Sequence, residues 1–92
     1  MPELWFDPHA NAAVTALEQD VTRKPLLERV EAALKALATD SGDARCRRRS
    51  YAGVGEGMWG MPVRSQDHEW LILWRQGPTA DDVTVVYVGP DL

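Results

Sequence analysis

The sequence predicts an α+β domain: a short N-terminal strand, then an antiparallel helical hairpin packed on one face of a mainly antiparallel, twisted, four- to five-stranded sheet. Three observations predict it. Apolar residues recur at helical spacing in two successive segments of the first half. Four runs in the second half, Arg45–Tyr51, Met58–Val63, Trp70–Arg75 and Val83–Val88, read as strands divided by segments carrying Gly, Pro, Asp and Ser. The linker between the two helical segments is only a few residues long, which favours an antiparallel pair. A chain of 92 residues has room for one small core, so residues 1–92 are read as a single domain.

Glu3–Phe6 is the opening strand, with Leu4 and Phe6 on one side. Asp7-Pro8 then starts a helix, because Asp suits the cap and proline the first helical position, where a missing N–H is harmless. Ala10, Ala13, Val14, Leu17 and Val21 form its apolar stripe, flanked by Asn11, Thr15, Glu18 and Asp20. Thr22 is read as the cap of a second helix that holds Pro25 in its first turn. Leu26, Leu27, Val30, Leu34 and Leu37 mark its buried face, and Gly42 ends it. Both stripes should press on the same face of the sheet.

In Arg45–Tyr51 the two-residue alternation of a strand puts Arg45, Arg47, Arg49 and Tyr51 on one face, a row of guanidinium groups ending in a phenol. Gly53, Gly55 and Gly57 make a flexible turn that fits no phosphate-binding fingerprint, since no apolar strand leads in and no helix follows. In the next run Trp59, Met61 and Val63 share a face, and Pro62 removes a ladder donor, which implies an edge or a bulge. Trp70, Ile72 and Trp74 alternate with Leu71, Leu73 and Arg75; a run so apolar on both faces is a central strand covered from two sides. The last run sets Val83, Val85 and Tyr87 opposite Thr84, Val86 and Val88, and the chain stops at Gly89-Pro90-Asp91-Leu92 with no closing helix.

With 45% hydrophobic and 26% charged residues the composition is globular, and no apolar stretch approaches the roughly 20 residues that span a membrane. The N-terminus lacks the basic and apolar regions of a secretory signal, and a lone Cys46 forms no internal disulfide, so a cytoplasmic location is expected. A net charge of −4 argues against a general nucleic-acid-coating field, although the arginines at 45, 47, 48 and 49 can make a local basic patch. His9 and His68 lie far apart with no partners at ligand spacing, so neither a metal nor any other cofactor is expected.

Cleavage of RNA through its 2′-hydroxyl requires a base, an acid and cations over the phosphate. Arg64, His68, Glu69 and Tyr87 supply catalytic types. Arg45, Arg47, Arg49, Tyr51 and Arg75 are candidates for contact with RNA or an acidic protein partner. Most are also ordinary surface residues. Trp59, Trp70 and Trp74 could stack bases, but tryptophans at strand spacing are more often core.

The order strand, helix, helix and four strands, with Gly-Met-Trp-Gly-Met-Pro-Val-Arg at 57–64, Glu-Trp-Leu-Ile-Leu-Trp at 69–74 and Val-Val-Tyr-Val-Gly at 85–89, resembles the RelE/ParE family of bacterial toxins over nearly the whole chain. The resemblance implies a toxin of a bacterial toxin–antitoxin module with a cognate antitoxin as partner, and either ribosome-bound mRNA or DNA gyrase as target; a homodimer is a further expectation. Trp59 matches the aromatic of the family's Gly-x-Trp strand and Arg64 lies near its basic end. Gly60 and Pro62 stand where ribonucleolytic members often carry Lys or Arg, and Glu69 or Trp70 stands at their catalytic Arg. The leading expectation is therefore a toxin-like protein that acts by binding a macromolecule. The alternatives are a metal-independent, ribosome-dependent mRNA endoribonuclease and a stand-alone protein-interaction domain.

Overall fold

A computed structural model describes residues 4–39, 44–47, 49–50, 58–65, 68–77 and 82–90. The elements are β1 (Leu4–Phe6), α1 (Pro8–Gln19), α2 (Lys24–Thr39), β2 (Arg49–Ser50), β3 (Met58–Ser65), β4 (His68–Gln76) and β5 (Val83–Pro90), with 3₁₀ turns at Val21–Arg23 and Ala44–Arg47. One five-stranded sheet runs β1-β5-β4-β3-β2. It is antiparallel except that β1 lies parallel to β5, in the register Leu4 to Val83 and Phe6 to Val85, and the Asp7 N–H continues the pairing to the Val85 carbonyl at 3.0 Å.

Both helices cover one face. Ala10 and Leu17 of α1 and Leu26, Val30, Ala33, Leu34 and Leu37 of α2 share a core with Met61, Val63, Trp70, Ile72, Trp74, Val83, Val85 and Val88. Ile72 and Trp74 are fully buried on β4, the middle strand, as a run apolar on both sides requires. Leu71 and Leu73 point to the reverse face, outside this core, yet Leu71 is only 5% exposed. Among the described residues β2 pairs with Trp59 and Gly60, so Pro62 lies beyond that pairing on β3, in register with Leu71 of β4.

Four local readings are corrected. The segment from Arg45 is not one long strand: Ala44–Arg47 is a 3₁₀ turn, and among the described residues that follow Arg49–Ser50 is extended. Cys46, at the third position of that turn, is fully buried, and its carbonyl accepts the Trp74 indole N–H. Asp20, not Thr22, is the capping residue: its carboxylate accepts from the Thr22 N–H at 3.0 Å and from the Thr22 hydroxyl at 2.6 Å. The 3₁₀ turn that follows moves Val21 out of the α1 stripe to 87% exposure. Finally, the β4–β5 register shifts between Leu73 and Trp74, so that Leu73 faces Tyr87 while Trp74 faces Val85. Val86 is the extra residue, and the bulge brings Val88 rather than Tyr87 to the core with Val83 and Val85. Tyr51, the three glycines from Gly53 to Gly57, and Gly42 lie outside the described residues.

Candidate functional site

The nominated side chains fall into four places. At the β3–β4 hairpin, antiparallel pairing sets Arg64 opposite Glu69 and Ser65 opposite His68. Arg64 Nε lies 3.7 Å from Glu69 Oε1, both side chains largely exposed, so the pair orders the two groups while holding them weakly. Alternation turns His68 toward the face opposite to Glu69, the side on which Ser65 is buried.

Tyr87 is elsewhere. It faces Leu73, five residues along β4 from His68, roughly 17 Å at strand rise. Its ring stacks on that of His9 from α1, centroids 5.8 Å apart and 15° from parallel, and its hydroxyl donates to the Pro90 carbonyl at 2.8 Å. This ring crosses Gly89, where a Cβ would come within 2.7 Å of the hydroxyl oxygen; the strand needs glycine there. His9 and Tyr87 help to line a cavity of about 500 Å³ between α1 and the end of β5, along with Trp70, Asp20 and Arg23. The Asp20 carboxyl is held below its ordinary value, chiefly by the Thr22 hydroxyl and then by the Thr22 N–H, with the Arg23 charge adding to it at 3.4 Å.

Arg47 belongs to the helix-covered side. Its guanidinium lies over the rings of Trp59, at 4.9 Å, and Trp74, at 5.6 Å. It is half-buried as a cation–π partner rather than one of a row on a strand, and Arg45 shares its 3₁₀ turn. Trp70 and Trp74 are core residues, and Trp59 packs against the core.

Arg75 stands at the far end of β4, exposed, six residues from Glu69 or roughly 20 Å. There it lines a second cavity, of about 330 Å³, with Trp5, Phe6, Asp7, Gly77 and Thr84. Trp5 and Asp7 escaped sequence reasoning as site residues. The signal was present, for if Leu4 and Phe6 face the core, an indole between them must face out.

Among the described residues, no three His, Cys, Asp or Glu side chains group so as to hold a metal, and no helix is long and apolar enough to cross a membrane.

No protein-family model matches the chain, and no curated protein matches it by sequence. A solved structure does match in shape: the YoeB/ParE toxin from Agrobacterium tumefaciens, with a TM-score of 0.73 over 98% of this chain and 99% of that one, at 9% sequence identity. Order of elements, hairpin on one sheet face and central β4 are thus those of a known toxin fold. The chain therefore has the fold of a YoeB/ParE toxin, as the RelE/ParE resemblance of its sequence leads one to expect.

Proposed function

We propose that this chain is the toxin component of a bacterial toxin–antitoxin module, neutralised by a cognate antitoxin, and that it acts by binding a macromolecular partner rather than by cutting RNA. The shared fold supports the toxin reading. The observation that carries the second half is the dispersal of the candidate catalytic groups. Arg64 and Glu69 neutralise each other at one hairpin, His68 turns to the other face, and Tyr87 is engaged with His9 and Pro90. General acid–base catalysis needs its acid and base within about 3 Å of one reacting group, or one water away. Gly60 and Pro62, where basic residues would steady a phosphate, point the same way.

The test is induced expression in a bacterial host, with and without the neighbouring reading frame that would encode the antitoxin. Growth arrest relieved by the neighbour, with ribosome-bound mRNA intact, is the expected outcome; inhibition of DNA supercoiling by gyrase would then name a target. A second reading, ribosome-dependent endoribonuclease, draws on the closeness of Arg64, Glu69 and His68 at one hairpin. Arrest accompanied by mRNA cleavage, both abolished by Arg64→Ala and His68→Ala, would replace the binding reading with that one. Failure of the chain to arrest growth would leave the interaction-domain alternative.

A further inference from the structure

Trp5, Thr84 and Arg75 stand abreast on three neighbouring strands: Trp5 is in register with Thr84 across β1 and β5, and Thr84 with Arg75 across β5 and β4. With strands about 4.8 Å apart, the indole and the guanidinium are rooted roughly 10 Å from each other. The 330 Å³ cavity opens over this row. Its size lies at the lower end of the roughly 300–1,000 Å³ typical of small-ligand sites.

Three side chains lining it are uncommitted. Trp5 is 47% exposed, while Trp70 and Trp74 are buried. Arg75 is exposed and forms no ion pair among the described residues, in contrast to Arg64 on the neighbouring strand. Asp7 occupies the N-cap position of α1, yet its side chain makes no cap hydrogen bond, which leaves the carboxylate available to the groove. The floor is fixed: Gly77, at a φ of 130° that favours glycine, donates its N–H to Asp82 at 2.9 Å and accepts the Thr84 hydroxyl at 3.0 Å.

An exposed indole, a guanidinium about one nucleotide's length away and a carboxylate beside the indole complement three parts of one molecule. We propose that this groove binds a guanine nucleotide, its base stacked on Trp5, its phosphate on Arg75, and its adjacent N1–H and N2–H donors on Asp7. The carboxylate, which accepts only, sets the choice of base: guanine presents two neighbouring donors to it, uracil one. The site lies at the opposite end of the sheet from Arg64 and Glu69 and goes beyond the partner-binding reading, standing whether or not the chain arrests growth. Because the net charge is −4, no broad positive field assists, so the contact is short and local.

The ligand can be a free nucleotide or a guanine within a single strand, and two measurements on the full chain separate these sources. Calorimetric titration with GMP and UMP reads the first; fluorescence anisotropy of a short, labelled, G-containing single-stranded RNA reads the second. GMP binding in preference to UMP is expected. Trp5→Ala should weaken binding about 5- to 150-fold, the usual effect of removing one stacking platform, and Trp5→Phe should restore most of it. Arg75→Ala should weaken it too and reduce the salt slope of RNA binding by about 0.7, one phosphate contact on a single strand. Asp7→Asn, which keeps a good N-cap residue, should erase the preference for GMP. Arg29→Ala, which removes an exposed charge on α2, should change nothing. RNA bound more tightly than GMP makes the strand the source; equal affinity makes it the free nucleotide. Absence of binding by the wild-type chain to both probes, unchanged affinity in both Trp5→Ala and Arg75→Ala, or binding of polyglutamate in place of either probe would overturn the assignment.

Discussion

The indole N–H of Trp74 donates to the main-chain carbonyl of Cys46 at 2.7 Å, a buried hydrogen bond between residues 28 apart in sequence. The same indole lies 6.4 Å from that of Trp59, and Arg47 spans the two. One side chain of the central strand therefore holds the 3₁₀ turn at Ala44–Arg47 against the core. Replacing it with phenylalanine keeps much of the apolar volume and orphans the carbonyl. Trp74→Phe should cost about 1–3 kcal/mol, the penalty for a buried unsatisfied group, in a denaturant titration. No change in the unfolding midpoint would mean that the turn is held by other contacts.

Leu17, Leu34 and Val21 look alike in the helical pattern, but only the first two are buried. Leu17→Ala and Leu34→Ala should each lower stability by roughly 2–5 kcal/mol, while Val21→Ala should stay within about 0.5 kcal/mol. Thermal melts of the three variants test the placement of Val21 outside the core directly.

Gly89 and Tyr87 should be energetically coupled. Gly89→Ala forces the phenol off its path, losing the stack on His9 and the bond to Pro90, and should destabilise the chain by about 1–3 kcal/mol through overpacking. In Tyr87→Ala the obstruction is gone, so the same glycine substitution should cost far less. A double-mutant cycle measures the difference, and additive costs would show that the ring does not constrain Gly89.

The Asp20 carboxyl titrates below its ordinary value of 3.8, so its ionised form is favoured by folding. Its contribution is fully present above that value and is lost as pH falls through the lower, folded one. Wild type and Asp20→Asn should therefore differ most in stability near neutrality and converge below pH 3.8 in acid unfolding. A difference that grows with acid would contradict the capping role. Because Asp20 is partly exposed, added salt should shrink the Arg23 share of the effect.

Periodicity made the helices and the central strand legible, since burial of Leu17, Leu37, Ile72 and Trp74 follows from spacing alone. Alternation failed where tertiary contacts outweighed it. Cys46, with a Trp74 N–H to accept and a core to enter, turns the arginine-rich run from strand to 3₁₀ turn. The Val86 bulge is a property of two strands in register and has no signature in one of them. The site was legible in residue type but not in grouping. Arg64 and Glu69 meet because a hairpin joins them while alternation sends His68 to the other face, whereas the proximity of Trp5 to Arg75 depends on a parallel pairing between β1 and β5.

That pairing has a consequence for the order in which the chain folds. Among the described strands β5 comes last in sequence yet lies second in the sheet, between β1 and β4, supplying the fully buried Val83 and Val85. Leu4 pairs with Val83, 79 positions later in the sequence. Contacts of such sequence separation slow folding, because a long loop must close before they form. The helical hairpin and the β3–β4 ribbon join residues near in sequence and can assemble early, but the groove at Trp5 and the closed core form only once β5 has docked beside β1.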